Sequence, residues 1–154
     1  MAVDARVLLP SVMTRADFYI LGDNTDRARF ACTLAYKAWK QGHHLHILAS
    51  GHDEAVALDD LLWTFQDISF LPHALADDAG AGAVPVTVGC PGQPVAGEDV
   101  LINLTAGVPE SVTAYRRIAE IVSGDEDLRR QARQRFKQYR ELGFDMHTHT
   151  LDGR

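Results

Sequence analysis

The order in which apolar segments follow one another constrains the fold of this chain more than any other feature. Short apolar runs, typical of buried strands, alternate with longer segments in which apolar residues recur at helical spacing. The apolar runs span residues 17–21, 44–49, 85–89 and 100–104. Because strands separated by helices are joined by crossover connections, this order predicts an α/β fold with a mainly parallel sheet.

Residues that cap helices set the expected boundaries. Helices are predicted from a cap at Asn24, Thr25 or Asp26 to about Gln41 with a stop at Gly42, from Asp53 to about Phe65, and from Asp125 to Leu142 with a stop at Gly143. Residues 115–122 fit either a strand or a short helix. Residues 66–84 are predicted to be irregular, with a mobile loop at 77–82.

The sequence lacks the motifs of nucleotide enzymes and hydrolases. The turn after the first strand, Gly22-Asp23-Asn24-Thr25, contains no GxGxxG, and neither GxxxxGK[ST] nor GxSxG occurs anywhere. His73 has no visible nucleophile beside it, so no catalytic residue is predicted. A small nucleotide- or flavin-binding enzyme of flavodoxin-like fold stays as the alternative function.

Histidine and cysteine spacing predicts neither a metal site nor any other cofactor. Two groups of histidines have no Cys or carboxylate at ligand spacing and are expected to be solvated: His43, His44 and His46, and the pair His147 and His149. Cys32 and Cys90 lie far apart and are expected to be buried thiols in a reducing compartment. The chain has neither a long apolar span nor the apolar core of a signal peptide, which predicts a cytoplasmic protein without a membrane partner.

Charge is distributed unevenly along the chain. The net charge is −6, yet residues 116–140 hold eight of the 15 Lys and Arg residues. Residues 41–115, in contrast, hold ten acidic residues and no Lys or Arg. This asymmetry indicates one anion-attracting patch on an otherwise acidic protein. An acidic body disfavours non-specific DNA binding, which requires a broad basic footprint.

The last predicted helix carries that patch. On a helical wheel its basic residues gather on one side: Arg129, Arg133, Lys137 and Arg140. The opposite side is expected to face the core: Leu128, Ala132, Tyr139 and Leu142, with Arg135 among them. Phe136 lies at the border. A surface helix normally mixes charge signs, whereas this face is purely basic, which favours a site for an anion or an acidic peptide over a solvated face.

A second candidate surface surrounds Trp63, which lies off the apolar stripe of its helix. It precedes the segment Phe70-Leu71-Pro72. Either Trp63 covers its own core, or these residues form an aromatic patch for a protein partner.

Several segments follow one another in a characteristic order and spacing: Asp17-Phe18-Tyr19-Ile20-Leu21, Ala31-Cys32, Lys37-Ala38, Leu58-Asp59-Asp60-Leu61-Leu62-Trp63, Ser69-Phe70-Leu71-Pro72-His73, Val100-Leu101-Ile102-Asn103-Leu104, Ala132-Arg133, Phe136-Lys137, Tyr139-Arg140 and Gly143-Phe144. Together they resemble the chi subunit of bacterial DNA polymerase III. The resemblance extends over about residues 16–150. It implies a single-domain, three-layer, Rossmann-like fold with helices on both sheet faces, no phosphate-binding loop, and a strand at 115–122.

The resemblance also implies a non-catalytic role on the clamp-loader side of the replicase. Family members pair with a psi subunit and hold the acidic, Phe-terminated C-terminal tail of single-stranded DNA-binding protein, so that DNA is met only indirectly. The positions implied for the tail are Arg129, Arg133, Phe136, Lys137, Arg140 and Val122. The positions implied for psi, or for a repair helicase in its place, are Trp63, Phe70, Leu71 and Pro72.

Two further expectations complete the sequence-based description. Residues 1–14 precede the usual family start and are expected to form an extension without fixed structure, with Met13 as a possible initiator, before a domain at 15–154. A module that binds bare single-stranded nucleic acid would need several aromatic residues along a basic groove. Only Phe136 and Tyr139 interleave the basic run, and Tyr139 is expected to face the core.

Overall fold

Seven parallel strands form one sheet with helices on both faces. The computed structural model describes residues 14–22, 25–65, 71–78, 80–93, 99–110 and 112–151. The strands are β1 (Arg15–Ile20), β2 (Leu45–Leu48), β3 (His73–Leu75), β4 (Val86–Gly89), β5 (Val100–Asn103), β6 (Arg117–Val122) and β7 (Asp145–Thr150). The helices are α1 (Arg27–Lys40), α2 (His52–Thr64) and α3 (Glu126–Glu141), besides short 3-10 turns at Ala81–Ala83 and Val112–Ala114. The sheet order is β3-β4-β2-β5-β6-β1-β7, and every neighbouring pair is parallel.

The two faces of the sheet have separate apolar cores. Side chains of α1 and α2 pack with one face, and side chains of α3 pack with the other. Successive residues of a strand point to opposite faces, so Phe18 of β1 meets α3, whereas Tyr19 meets α1. The central strands β2 and β5 are buried along their whole length, as expected for parallel strands covered on both sides. The predicted three-layer α/β fold is therefore confirmed.

Caps fix the ends of α1 and α3. The Asp26 carboxylate accepts from the backbone N–H of Ala28 at 3.0 Å, which selects Asp26 among the three predicted caps. The Asp125 carboxylate accepts from the N–H of Asp127 at 2.8 Å. Both helices end before a glycine with positive φ, Gly42 and Gly143.

Two strands were absent from the sequence-based prediction. The segment predicted to be irregular at 66–84 contains β3, and the C-terminal segment forms β7. β3 has three residues, too few to show a period, and β7 is an edge strand of sequence DMHTHT that lacks apolar alternation. The ambiguous segment forms the strand β6, as the resemblance implied.

Several burial predictions were also wrong. Leu142, expected in the core, is 53% exposed because α3 ends at Glu141. Cys32 is buried, which raises the pKa of its thiol to about 12, whereas Cys90 is only half-buried. The hydroxyl of Thr14, the last residue of the predicted extension, donates to the carbonyl oxygen of Tyr115 at 2.8 Å. Residues 1–13 and part of the predicted mobile loop lie outside the described residues.

His46 was expected to be solvated and is instead buried in β2. Its Nδ1 lies 2.7 Å from the hydroxyl of Thr87, and its Nε2 has no hydrogen-bond partner among the described residues. Burial disfavours the charged imidazolium and lowers the pKa of His46 from 6.5 to about 4. The folded protein therefore holds a neutral histidine here in mildly acidic solution.

This buried histidine predicts a loss of stability in mild acid. Between pH 6.5 and 4 the unfolded chain binds a proton at His46 that the folded chain does not, so folding becomes less favourable as the pH falls. The loss due to this residue should reach about 3 kcal/mol at pH 4. Urea unfolding across this range should show a flatter pH profile for His46→Gln than for the unaltered protein. His44→Gln, at an exposed position, serves as the matched control, and parallel profiles for His46→Gln and the unaltered protein would contradict the assignment.

Candidate anion-binding site

A groove between α3 and the sheet collects most of the predicted tail-binding residues. Its cavity volume is about 260 Å³. Eight residues line what we name the α3 groove: Phe18, Ile20, Val122, Arg129, Ala132, Arg133, Phe136 and Thr148. They come from β1, β6, β7 and α3, so strand order rather than sequence proximity assembles the groove.

The floor of the α3 groove is apolar and firmly packed. The rings of Phe18 and Phe136 lie 5.2 Å apart at 59°, and the ring of Phe18 also meets Tyr139 at 5.9 Å. Val122 is 2% exposed and closes the floor from the neighbouring strand. Ala132, with its short side chain, leaves the space above these rings open. The floor can therefore bury one apolar side chain of a ligand.

Arg129 places a hydrogen-bond donor without an acceptor in the α3 groove, as far as the described residues show. Its Nε is buried and has no hydrogen-bond partner among the described residues. A buried donor without an acceptor costs free energy, and an arginine fork suits a carboxylate. An anion placed in the groove would satisfy this donor.

The basic face is less purely basic than the sequence predicted. Arg133 lies 3.3 Å from the carboxylate of Glu126, and Arg130 pairs with Asp127. Acidic residues of the first helical turn therefore pair with arginines further along the helix. Both side chains of the Arg133 pair are mostly exposed, so the pair contributes little and Arg133 can exchange its partner for an incoming anion.

Two predicted residues lie beside the α3 groove rather than in its lining. Arg140 places its guanidinium 5.9 Å from the ring centre of Phe136, where it extends the positive potential of the helix. Lys137 is exposed on the same helix. Both residues suit longer-range attraction of an acidic ligand rather than contact with a group held in the groove.

A buried polar network anchors α3 to the sheet. Glu120 of β6 is fully buried and accepts from Arg135 Nε at 2.9 Å, Tyr139 Oη at 2.6 Å and Asn103 Nδ2 at 2.7 Å. Arg135 also donates to the carbonyl oxygen of Ala106 at 2.8 Å. Burial raises the pKa of Glu120, while the Arg135 charge and the three donors oppose this rise. The sequence placed Arg135 on the core side of the helix but did not identify its partner; an acid inside the apolar run RIAEIV was the available signal.

The surface around Trp63 is the second predicted site. The Trp63 side chain is 51% exposed, and its ring lies 4.3 Å from the ring of His73. Pro72 is half-buried, whereas Leu71 lies in the core at 1% exposure. Phe70 lies outside the described residues. We name Trp63 and Pro72 the Trp63 surface.

The described residues offer little for catalysis or metal binding. Both ring nitrogens of His73 are engaged by carbonyl oxygens, of Leu71 at 2.6 Å and of Asp59 at 3.0 Å. No group of three or more His, Cys, Asp or Glu side chains in the described part of the chain is arranged to hold a metal ion. Within the same residues, no helix combines the length and the apolar character that spanning a membrane requires.

Comparison with known proteins identifies the family. Residues 13–147 match the family described as DNA polymerase III chi subunit, HolC. The chain is 38% identical over 141 residues to DNA polymerase III subunit chi of Pseudomonas aeruginosa, covering 90% of this chain and 98% of that protein. It is 30% identical over 145 residues to the Escherichia coli K12 protein of the same name, covering 90% of this chain and 99% of that protein. The Haemophilus influenzae protein of that name is 31% identical over 139 residues, covering 88% and 96%. The chain therefore belongs to the DNA polymerase III chi subunit family.

Proposed function

We propose that this chain is a non-catalytic accessory subunit of the replicase that captures the acidic C-terminal tail of single-stranded DNA-binding protein. The observation that carries the proposal is the α3 groove, in which the buried Nε of Arg129, without a hydrogen-bond partner in the described part of the chain, adjoins an apolar floor. By tethering the clamp loader, through psi, to protein-coated template, the subunit would act in DNA replication without contacting DNA itself.

The shape and charge of the α3 groove suit a terminal phenylalanine. A phenyl ring would pack against Phe18, Phe136 and Val122, and burial of its surface would supply the apolar part of the affinity. The terminal carboxylate would then meet Arg129 and Arg133, which lie on the same side of α3 one turn apart. Acidic residues upstream in the tail would follow the exposed charges of Lys137 and Arg140.

The charge distribution of the whole chain supports a peptide ligand rather than DNA. Eight of the 15 basic residues lie between positions 116 and 140 of a chain with net charge −6. A short acidic peptide needs only the local patch, whereas the DNA backbone extends beyond it over acidic surface. Many tails on one coated template would compensate for weak individual binding.

The space at the carboxyl ends of the strands argues against the alternative enzyme. In parallel α/β sheets ligands bind at this edge, where β1 and β6 send their helices to opposite faces. The cavity that the described residues form there has a volume of about 90 Å³, and Arg27 crosses this edge by donating to the carbonyl oxygen of Leu104 at 3.3 Å. A nucleotide or flavin needs several times this volume. We therefore assign the chain neither a cofactor nor a catalytic residue.

The Trp63 surface is our proposed site for the psi subunit, or for a repair helicase that competes with it. An exposed tryptophan supported by a neighbouring ring is the type of residue that dominates protein interfaces. The surface lies on α2 and on the residue that precedes β3, whereas the α3 groove lies near the opposite edge of the sheet. Both partners can therefore bind together. We place the complex in the cytoplasm, where replication proteins of bacteria act.

The test of the tail proposal is a peptide titration. A labelled peptide with an acidic sequence and a terminal phenylalanine should bind saturably, with a dissociation constant that rises with salt concentration. The same peptide with an amidated C-terminus should bind at least tenfold more weakly, because it loses the charge that meets Arg129. Equal binding of both peptides would contradict the placement of the terminal carboxylate in the α3 groove. Absence of binding at low salt would contradict the tail proposal.

A further inference from the structure

A second cleft lies on the opposite sheet face from the α3 groove. It opens between the C-terminal half of α1 and the strands β5, β6 and β1, and its volume is about 170 Å³. Tyr19, which lines it, follows Phe18 of the α3 groove in β1, so the two cavities are separated by the thickness of the sheet. We name this cavity the α1 cleft.

The floor of the α1 cleft is apolar, and small residues keep it open. Leu34 of α1 and the strand residues Val100 and Ile102 form the floor. Ala38 faces the cleft from the helix and Ala119 from the sheet. Close packing is the rule inside proteins, so two alanines opposite each other leave a space that larger side chains would otherwise fill.

The rim of the α1 cleft is cationic. Lys37 and Arg117 line it from opposite sides, together with His43. Asp99, which precedes β5, is engaged elsewhere, since its carboxylate accepts from the backbone N–H of His44 at 2.9 Å. The rim can therefore offer positive charge to a ligand.

A buried carboxylate holds Arg117 in place at the rim. Asp17 is fully buried and accepts from Arg117 Nε at 2.8 Å, and it also meets Arg15 and His149. Burial alone would raise the pKa of Asp17, but its hydrogen bonds with Arg15 and His149 and the charge of Arg117 keep it below the ordinary value. Arg117 donates to Asp17 through Nε and also has a side-chain hydrogen bond with Tyr19, so its guanidinium is fixed at the rim of the cleft.

Tyr19 adds an aromatic wall with a polar end. Its ring stacks on His149 at 4.8 Å and 16°, and packs against Phe30 at 5.5 Å. The ring is thus fixed from two sides. A fixed aromatic wall, an apolar floor and a cationic rim together form a built site rather than an accidental gap.

We infer that the α1 cleft binds a small amphipathic anion, namely an aromatic or branched apolar group that carries a carboxylate. The apolar group would lie on Leu34, Val100 and Ile102, and the carboxylate would bridge Lys37 and Arg117. The volume fits one side chain or one small acid, not a nucleotide. The ligand is either a free acid or the C-terminal residue of a peptide, and both present the same chemistry.

Amide-resolved NMR titration tests this inference. The probes are 3-phenylpropionate, its neutral amide 3-phenylpropanamide, and a peptide without charged side chains that ends in phenylalanine with a free carboxylate. Saturable shifts at Tyr19, Lys37 and Arg117 are expected for the acid, with at least tenfold weaker binding of the amide. Binding by the free acid alone would indicate a small-molecule ligand, and binding by the peptide as well would indicate a chain terminus.

Variants separate this cleft from the α3 groove. Lys37→Gln should weaken binding about tenfold, whereas Lys40→Gln, one turn away and outside the cleft, should not. Ala38→Leu should fill the cleft and abolish the shifts at Tyr19 without unfolding the protein. Shifts confined to Phe136 and Arg133 of the α3 groove, equal binding of acid and amide, or no saturable shift would each overturn the inference.

Discussion

Replacing Arg135 by methionine is expected to lower the free energy of unfolding by about 3–5 kcal/mol. The change leaves the fully buried carboxylate of Glu120 without its cation, although Tyr139 and Asn103 continue to donate to it. An uncompensated charge in the interior is among the most destabilising features that one substitution can create. Urea denaturation at neutral pH measures the effect.

A matched variant and a double variant sharpen this prediction. Arg133→Met removes the same type of side chain two residues away, at a pair that is mostly exposed, and should change stability by no more than about 0.5 kcal/mol. Glu120→Gln combined with Arg135→Met removes both charges and should be more stable than Arg135→Met alone. If Arg135→Met and Arg133→Met were equally stable, the Glu120 network would not be what holds α3 to the sheet.

Replacing Arg129 by methionine should separate stability from binding. The substitution removes a buried donor that has no partner among the described residues, so the free energy of unfolding should stay equal or rise. The affinity for the acidic, Phe-terminated peptide should fall at least tenfold, because the carboxylate loses a charged donor. Thermal unfolding and peptide titration on the same preparation measure both quantities.

Arg130 provides the control for this second prediction. It lies next to Arg129 in sequence, carries the same charge, and pairs with Asp127 outside the α3 groove. Arg130→Met should lower the affinity for the peptide by no more than about twofold, because it removes only one distant charge that salt largely screens. Equal losses in the two variants would mean that net charge on α3, rather than the Arg129 position, recognises the ligand.

Local patterns predicted the regular elements of the fold well. Asp26 and Asp125 cap their helices, Gly42 and Gly143 end them, and the apolar runs mark the central strands, because each of these signals acts over a few residues. β7 was missed because an edge strand with one exposed side needs no apolar alternation. Its place is set instead by pairing with β1, a long-range contact.

The candidate site was predicted in outline but not in its energetics. A helical wheel placed Arg129, Arg133 and Phe136 together, and the structure brings all three into the α3 groove. The wheel puts Glu126 on the same side as Arg133, but it could not show that the two side chains approach each other to 3.3 Å. Nor could it show that Arg129 Nε lacks a partner within the described ranges, because burial at that point depends on strands distant in sequence.

The assembly of the α3 groove from distant segments would make the proposed binding of the tail a measure of whether the whole fold has formed. Its floor joins Phe18 near one end of the chain to Thr148 near the other, with Val122 and α3 between them. No fragment that lacks β1 or β7 can form the groove. A partly folded chain in which either strand is missing from the sheet should therefore not bind the peptide. A ligand of this groove would therefore bind only the native state, and saturating peptide should raise the free energy of global unfolding in proportion to the logarithm of its concentration.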